Sequence, residues 1–133
     1  MNCGFEDCTV LNQLLEKHNE NWTDAFAEYS KVRKPAGDAI LELALRNYIE
    51  MRDKTGDPAF LLQKKIEARF SAKYPEKWIP LYTQVTFSHI PYAEALASGD
   101  RQEAIMQKVM SRADIGEIWD SEEVEQEILA ALS

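Results

Sequence analysis

Three features of this sequence predict an all-α fold of about six to seven helices in an irregular bundle. Apolar residues recur at steps of three and four along most of the chain, glycine and proline fall where those stripes break, and strands and helices nowhere alternate. Phe5, Cys8, Leu11, Leu14, Leu15 and His18 form the first stripe, on a helix from about Gly4 to His18 that the polar Asn19-Glu20-Asn21 closes. Trp22, Phe26, Tyr29 and Val32 step along a second helix, capped by Asn21 or Thr23 and ended by Pro35-Ala36-Gly37.

Asp38 then has the form of a cap for a third helix running to about Lys54. Ile40, Leu41, Leu43, Ala44, Leu45, Tyr48, Ile49 and Met51 leave it little polar surface, so it is expected to be largely buried. Thr55-Gly56 stops it, and Asp57-Pro58 restarts the chain as a cap followed by proline at the first helical position. Phe60, Leu61, Leu62, Ile66 and Phe70 give the fourth helix its inner face. Pro75, Pro80 and Pro91 break up the aromatic and β-branched stretch that follows, where a strand near Val85 would have no partner and short helical turns are expected instead. A fifth helix begins around Tyr92 and stops at Ser98-Gly99. Asp100 caps a sixth bearing Ala104, Ile105, Val109 and Met110. Asp120 with Glu123 resembles a capping box for a last helix bearing Val124, Ile128, Leu129 and Leu132.

The composition suits one helical domain, residues 1–133, with a modest core: 45% of the residues are hydrophobic and 29% are charged. No apolar run reaches the length of a membrane span and the start is not signal-like, so a cytoplasmic setting is expected. A net charge of -8 argues against nucleic acid as a partner. The acidity is concentrated in residues 114–133, with seven acids and no base; a solvated helix face is its commoner meaning. Cys3 and Cys8 are read as reduced thiols, and two isolated histidines, His18 and His89, assemble no metal site.

No glycine-rich phosphate loop, nucleophile elbow or cysteine–histidine pair is present, so motifs alone assign no catalytic residue. Three places are nonetheless unusual for a plain bundle. Met1-Asn2-Cys3-Gly4 stands where a helix begins and offers unpaired N–H groups, although an ordinary capped helix reads the same way. Asn47, Glu50 and Met51 share a face in the most apolar helix, where a buried amide and carboxylate would need polar partners. Those partners are either internal, through Arg46, Arg52 or a backbone carbonyl, or a ligand. Ile79 to Ser88 mixes a phenol, Tyr82, and several hydroxyls and an amide with large apolar groups, which suits both a binding pocket and a core loop.

These segments, Met1-Asn2-Cys3-Gly4-Phe5-Glu6-Asp7-Cys8, Asn47-Tyr48-Ile49-Glu50-Met51-Arg52 and Ile79-Pro80-Leu81-Tyr82-Thr83-Gln84-Val85-Thr86-Phe87-Ser88, together resemble the kynurenine 3-monooxygenase family. That family reads closely as Met-Asn-x-Gly-Phe-Glu-Asp-Cys, Asn-Tyr-Ile-Glu-Met-Arg and Ile-Pro-Leu-Tyr-Thr-x-Val-Thr-Phe-Ser. The likeness runs from Met1 to about Ala95; the remainder is compatible with the variable helical end of bacterial members.

The resemblance implies the C-terminal helical part of a flavoprotein that hydroxylates L-kynurenine at the ring 3-position in tryptophan degradation, using FAD, NADPH and dioxygen. By position, Asn47 and Tyr82 match residues that bind the substrate carboxylate, and Met51 matches an apolar neighbour of its ring. Met1 and Asn2 match the end of the flavin-binding motif. Residues 1–18 then hold that motif end and its helix, 38–95 the substrate-side helices and loop, and 100–133 the C-terminal helices with the acidic tail. The family's dinucleotide-binding part is missing from the sequence, so the expectation is a fragment, inactive alone. Its uncovered face, including Phe5, Leu11, Leu15, Asn47 and Tyr82, is expected to be exposed, to self-associate or to be covered by rearranged helices. The competing expectation is a stand-alone helical protein-interaction module.

Overall fold

A computed structural model of the chain describes residues 2–133. Seven α-helices follow one another, and no strand occurs among the described residues. They are α1 (Asn2–Lys17), α2 (Trp22–Ile49), α3 (Pro58–Lys73), α4 (Leu81–Phe87), α5 (Tyr92–Met110), α6 (Ile115–Ile118) and α7 (Glu122–Leu132), with a π-helical turn, Glu50–Lys54, continuing α2. The all-α expectation holds, and α4 is the short helical element expected in the proline-broken stretch.

Several local signals act as their chemistry dictates. The Asn21 side chain accepts from the N–H groups of Thr23 and Asp24 at the start of α2. Asp57 accepts from the Ala59 N–H with Pro58 in the first turn of α3. At the far end of α1 the chain closes in a Schellman motif: Glu20 N–H donates to Leu15 O at 2.8 Å and Asn19 N–H to Glu16 O at 3.2 Å. The last helix is capped one residue later than expected, by Ser121, which accepts from the Val124 N–H.

Two expected breaks do not occur. Pro35 and Gly37 lie inside a single 28-residue helix, and Asp38 caps nothing but pairs with Lys34 one turn back at 2.5 Å. The missing proline N–H does not break α2 because its flanks are fixed by tertiary contacts: Arg33 is tied to α1, and Ala39 is buried in a helix that packs on α5. Likewise Gly99 lies within α5, which runs unbroken from Tyr92 to Met110. Gly99 is there for close packing, since a Cβ at its position would meet Leu81 Cδ2 at 2.7 Å.

The core belongs to the C-terminal half. Ile66 and Phe70 of α3, Trp78, Met106 and Val109 of α5, Ile115 of α6, and Val124 and Ile128 of α7 form one buried cluster. The Phe70 ring meets Trp78 edge-on at 5.6 Å. Beside this core α7 is fastened to α3 by Glu125, a buried carboxylate that accepts from Arg69 at 3.3 Å and from Lys73. The Lys73 bond, working against burial, holds its carboxyl below the usual carboxylate range. Acidic residues of the tail thus do more than face solvent: Arg112 gathers Asp114, Glu123 and Glu127 into one cluster.

The N-terminal half is an extended hairpin. α1 packs along α2, and α2 packs on α5. Only Leu14, Ala25 and Ala39 of the apolar residues described on these two helices are buried. The expectation that a third helix from Ala39 to about Lys54 is largely buried is therefore overturned: Leu41 (71% exposed), Leu45, Tyr48, Ile49 and Met51 all face outward. An apolar composition around a helix demands cover, but in this chain α2 meets only α1, α5 and its own π-helical extension among its principal neighbours.

Candidate functional site

Asn47 lies in the last turn of α2, three residues before the π-helical turn begins. It is exposed, so the buried amide expected from the sequence is corrected: solvent reaches it and no internal partner is demanded. Glu50 is half-buried. Its N–H is shared between the carbonyls of Arg46 and Asn47, four and three residues back, just where the π-helical turn begins. Met51, in the widened turn, is 65% exposed. Tyr48 in the same stretch lies under the Arg52 guanidinium at 5.3 Å, and Arg52 also binds Asp53.

Tyr82 stands at the start of α4, 70% exposed, with its ring edge-on to Phe87 at 6.3 Å. The helix under it is fixed from inside. Gln84 is buried; its amide donates to Ile79 O at 2.6 Å and to Ser98 Oγ of α5 at 3.2 Å. Gln102, one turn further along α5, donates to the same Ile79 carbonyl at 3.0 Å. The loop entering α4 is thereby clamped at a single backbone oxygen by two amides.

The end of α2 is fixed to the same region of α5. Arg46, next to Asn47, donates to Glu42 at 2.8 Å within its own helix and to Asp100 on α5. These bonds, to Asp100 first and then Glu42, raise the arginine's already high pKa. Leu81, next to Tyr82, lies on Gly99. The three candidate substrate contacts thus stand on two elements that share α5 as a support, and all three are open to solvent.

Met1 lies outside the described residues, and of Asn2 only its place as the first residue of α1 is described. No acidic residue occupies the first turn of α1, so its positive helix end is not neutralised locally. A Cβ at Gly4 would meet nothing, which leaves space beside that turn. These features suit the electron-rich edge of a flavin. The chain carries no glycine-rich pyrophosphate loop, so it supplies at most one wall of such a site.

Behind this turn lies a charged junction that sequence spacing did not reveal. Arg33 of α2, its side chain 12% exposed, donates to Asp7 at 2.6 Å and Glu6 at 3.1 Å, and lies 3.5 Å from Cys3 Sγ. Burial pushes the nearby Tyr29 and Tyr92 phenols up; Asp7 adds to the effect at Tyr29 and Glu6 at Tyr92. Gln84, Ser98, Gly99 and Asp100 were also missed. Gln84 fills the open position of the third motif, and the other three looked like a helix stop and a cap. Both cysteines are free, and His18 is hydrogen-bonded to Glu28 at 2.7 Å. No cluster of metal-binding side chains occurs among the described residues.

No family model matches the chain. Curated relatives do. It is 57% identical over 132 residues to "Kynurenine 3-monooxygenase" of Flavobacterium johnsoniae, an alignment covering 99% of this chain and 30% of the relative. Its identity to the protein of that name from Flavobacterium psychrophilum is 53% over 133 residues, 100% of this chain and 30% of the relative. The Christiangramia forsetii protein of the same name is 48% identical over 132 residues, 99% and 30% respectively. The chain therefore spans about 30% of the length of the curated relatives it matches.

Proposed function

We propose that this chain, which belongs to the kynurenine 3-monooxygenase family as a segment of about 30% of its members' length, supplies the substrate-binding helices of such an enzyme. The reading is carried by identity across nearly the whole chain, in which the three motif segments fall in family order. In it, the Asn47 amide and the Tyr82 phenol donate hydrogen bonds to the carboxylate of L-kynurenine, and Met51 lies against its aromatic ring. Exposure of all three side chains supports this, because a ligand needs no internal partner displaced.

FAD, bound mainly by a part of the enzyme outside this chain, would supply the oxygen-activating chemistry with NADPH as reductant. The residues of this chain bind and orient: Met1 and Asn2, with the unneutralised start of α1, would border the flavin, and α2 and α4 would hold the amino acid head group beside it. The division into residues 1–18 on the flavin side, 38–95 on the substrate side and 100–133 as supporting helices follows from that arrangement. Among the described residues no helix is long and apolar enough to cross a membrane, which suits the cytoplasmic setting we assign.

The test is a chimera in which these 133 residues replace the matched segment of the Flavobacterium johnsoniae enzyme. Kynurenine-dependent NADPH oxidation with formation of the 3-hydroxylated product is expected. Asn47→Ala and Tyr82→Phe should each raise the KM for kynurenine by about tenfold, the order of losing one hydrogen bond to a charged group. Unchanged KM in both would overturn the assignment. The exposed apolar side chains of α2 favour a second reading, a helical protein-interaction module, for which the chimera should show no response to kynurenine.

A further inference from the structure

We propose that one turn of α5, Ser98-Gly99-Asp100, acts as a positioning element that sets the end of α2 bearing Asn47 against the start of α4 bearing Tyr82. The inference rests on the substrate-binding reading of those two residues. None of the three need touch a ligand; each holds a neighbouring element by a different physical means. Ser98 accepts from the buried Gln84 amide, fixing α4 from within. Gly99 lets α4 approach the α5 backbone, because a Cβ there would meet Leu81 Cδ2 at 2.7 Å, Cδ1 at 3.1 Å and Cγ at 3.3 Å. A single methyl there would turn the Leu81 side chain aside, and a bulkier, β-branched one would press on Leu81 Cγ as well and so on α4 itself. Asp100 accepts from Arg46, which immediately precedes Asn47.

Three consecutive residues of one helix therefore connect to both candidate binding elements, 14, 18 and 54 positions distant in sequence from Gln84, Leu81 and Arg46. A head group gripped from two sides is sensitive to the spacing of its two donors. A shift of about 1 Å takes a donor out of hydrogen-bond range, and losing one such bond to a carboxylate costs about tenfold in affinity. Gly99 and Asp100 are accordingly positioning residues whose loss should weaken substrate binding more than turnover.

Two measurements test this. In the chain itself, with Cys3 and Cys8 replaced, spin labels at positions 47 and 82 should report a changed distance distribution in Gly99→Val. Adding Leu81→Ala, which removes the obstructed side chain, should restore it. In the complete flavoprotein carrying this chain, Gly99→Val and Asp100→Asn should raise the KM for kynurenine about tenfold, with kcat within about twofold and flavin content unchanged. Asp100→Asn keeps the exposed site's shape, so it separates positioning from failure to fold. The inference is overturned if the label distance stays fixed, or if these variants leave KM unaltered while Asn47→Ala and Tyr82→Phe raise it. Insensitivity of KM to Asn47→Ala and Tyr82→Phe as well would instead sink the substrate reading, and the positioning role with it.

Discussion

Glu20 occupies the left-handed region at φ 62°, directly after Asn19 at φ 51°. Asparagine tolerates that conformation; glutamate, whose longer side chain makes no local hydrogen bond to offset it, does so at a cost of about 1 kcal/mol. Glu20→Gly is therefore expected to stabilise the chain by up to about 1 kcal/mol, less a few tenths for the freer unfolded chain, as measured by urea denaturation. Glu125 presents the opposite case. Its carboxyl titrates below its unfolded value, so the stability it contributes is present above the unfolded carboxylate pKa and is lost as pH falls through the folded one. Glu125→Gln should lower stability at neutral pH by about 1–3 kcal/mol. The gap between variant and parent should narrow once pH drops below about 4; a constant gap across that range would contradict the linkage. Asn21 and Asp57 were readable as caps from local sequence, because a cap and its N–H groups lie within three positions, whereas Ser121 caps where Asp120 was expected, and Asp38 and Asp100 lie inside helices. Gln84, Ser98 and Arg33 were not readable, because their partners are far along the chain and nothing in their own neighbourhood announces them.

At the scale of elements, the sequence signals for helix ends divided by whether packing opposed them. Asn21 and Asp57-Pro58 begin helices as read, whereas Pro35-Ala36-Gly37 and Ser98-Gly99 look locally like stops and lie inside helices. In both overturned cases the helix is held by neighbours on each side of the expected break, and packing along a helix of 28 or 19 residues outweighs one or two unfavourable positions. The two interior glycines then make opposite predictions from one geometric fact. A Cβ at Gly37 meets nothing, so Gly37→Ala should stabilise α2 by about 0.5–1 kcal/mol through helix propensity and a less mobile unfolded chain. A methyl at Gly99 meets Leu81, so Gly99→Ala should destabilise in spite of the same propensity gain. Thermal melts of the two variants check the contrast directly, and a shift of the same sign in both would refute the packing role of Gly99. The candidate site was legible at this scale as motif segments; its support was not, since a glycine against another helix and a glycine at a helix end are the same letter.

Over the whole molecule, burial is unequal. The C-terminal half closes a core around Phe70, Trp78 and Met106, while the α1–α2 hairpin leaves Phe5, Trp22, Phe26, Leu41, Leu45 and Tyr48 in contact with water, and α4 does the same with Tyr82 and Phe87. Leu41, Leu45 and Tyr48 fall at steps of four and three, so they form one stripe on α2. Leu11 and Leu15 are half-buried, so of the face expected to be open the α1 interior is partly covered by α2, and Phe5, Asn47 and Tyr82 are exposed. An apolar area of that extent is unusual for a monomer and lowers the free energy of any state that covers it. The purified chain should therefore associate reversibly, with a sedimentation coefficient that rises with concentration and with enhanced fluorescence of an apolar dye. Leu41→Glu with Leu45→Glu should abolish both responses while leaving helicity unchanged, because neither side chain belongs to the core. If the double variant associates as strongly as the parent, the stripe is not the surface that needs cover; if it unfolds, the stripe is buried in solution and the hairpin packs otherwise than it does in this fold.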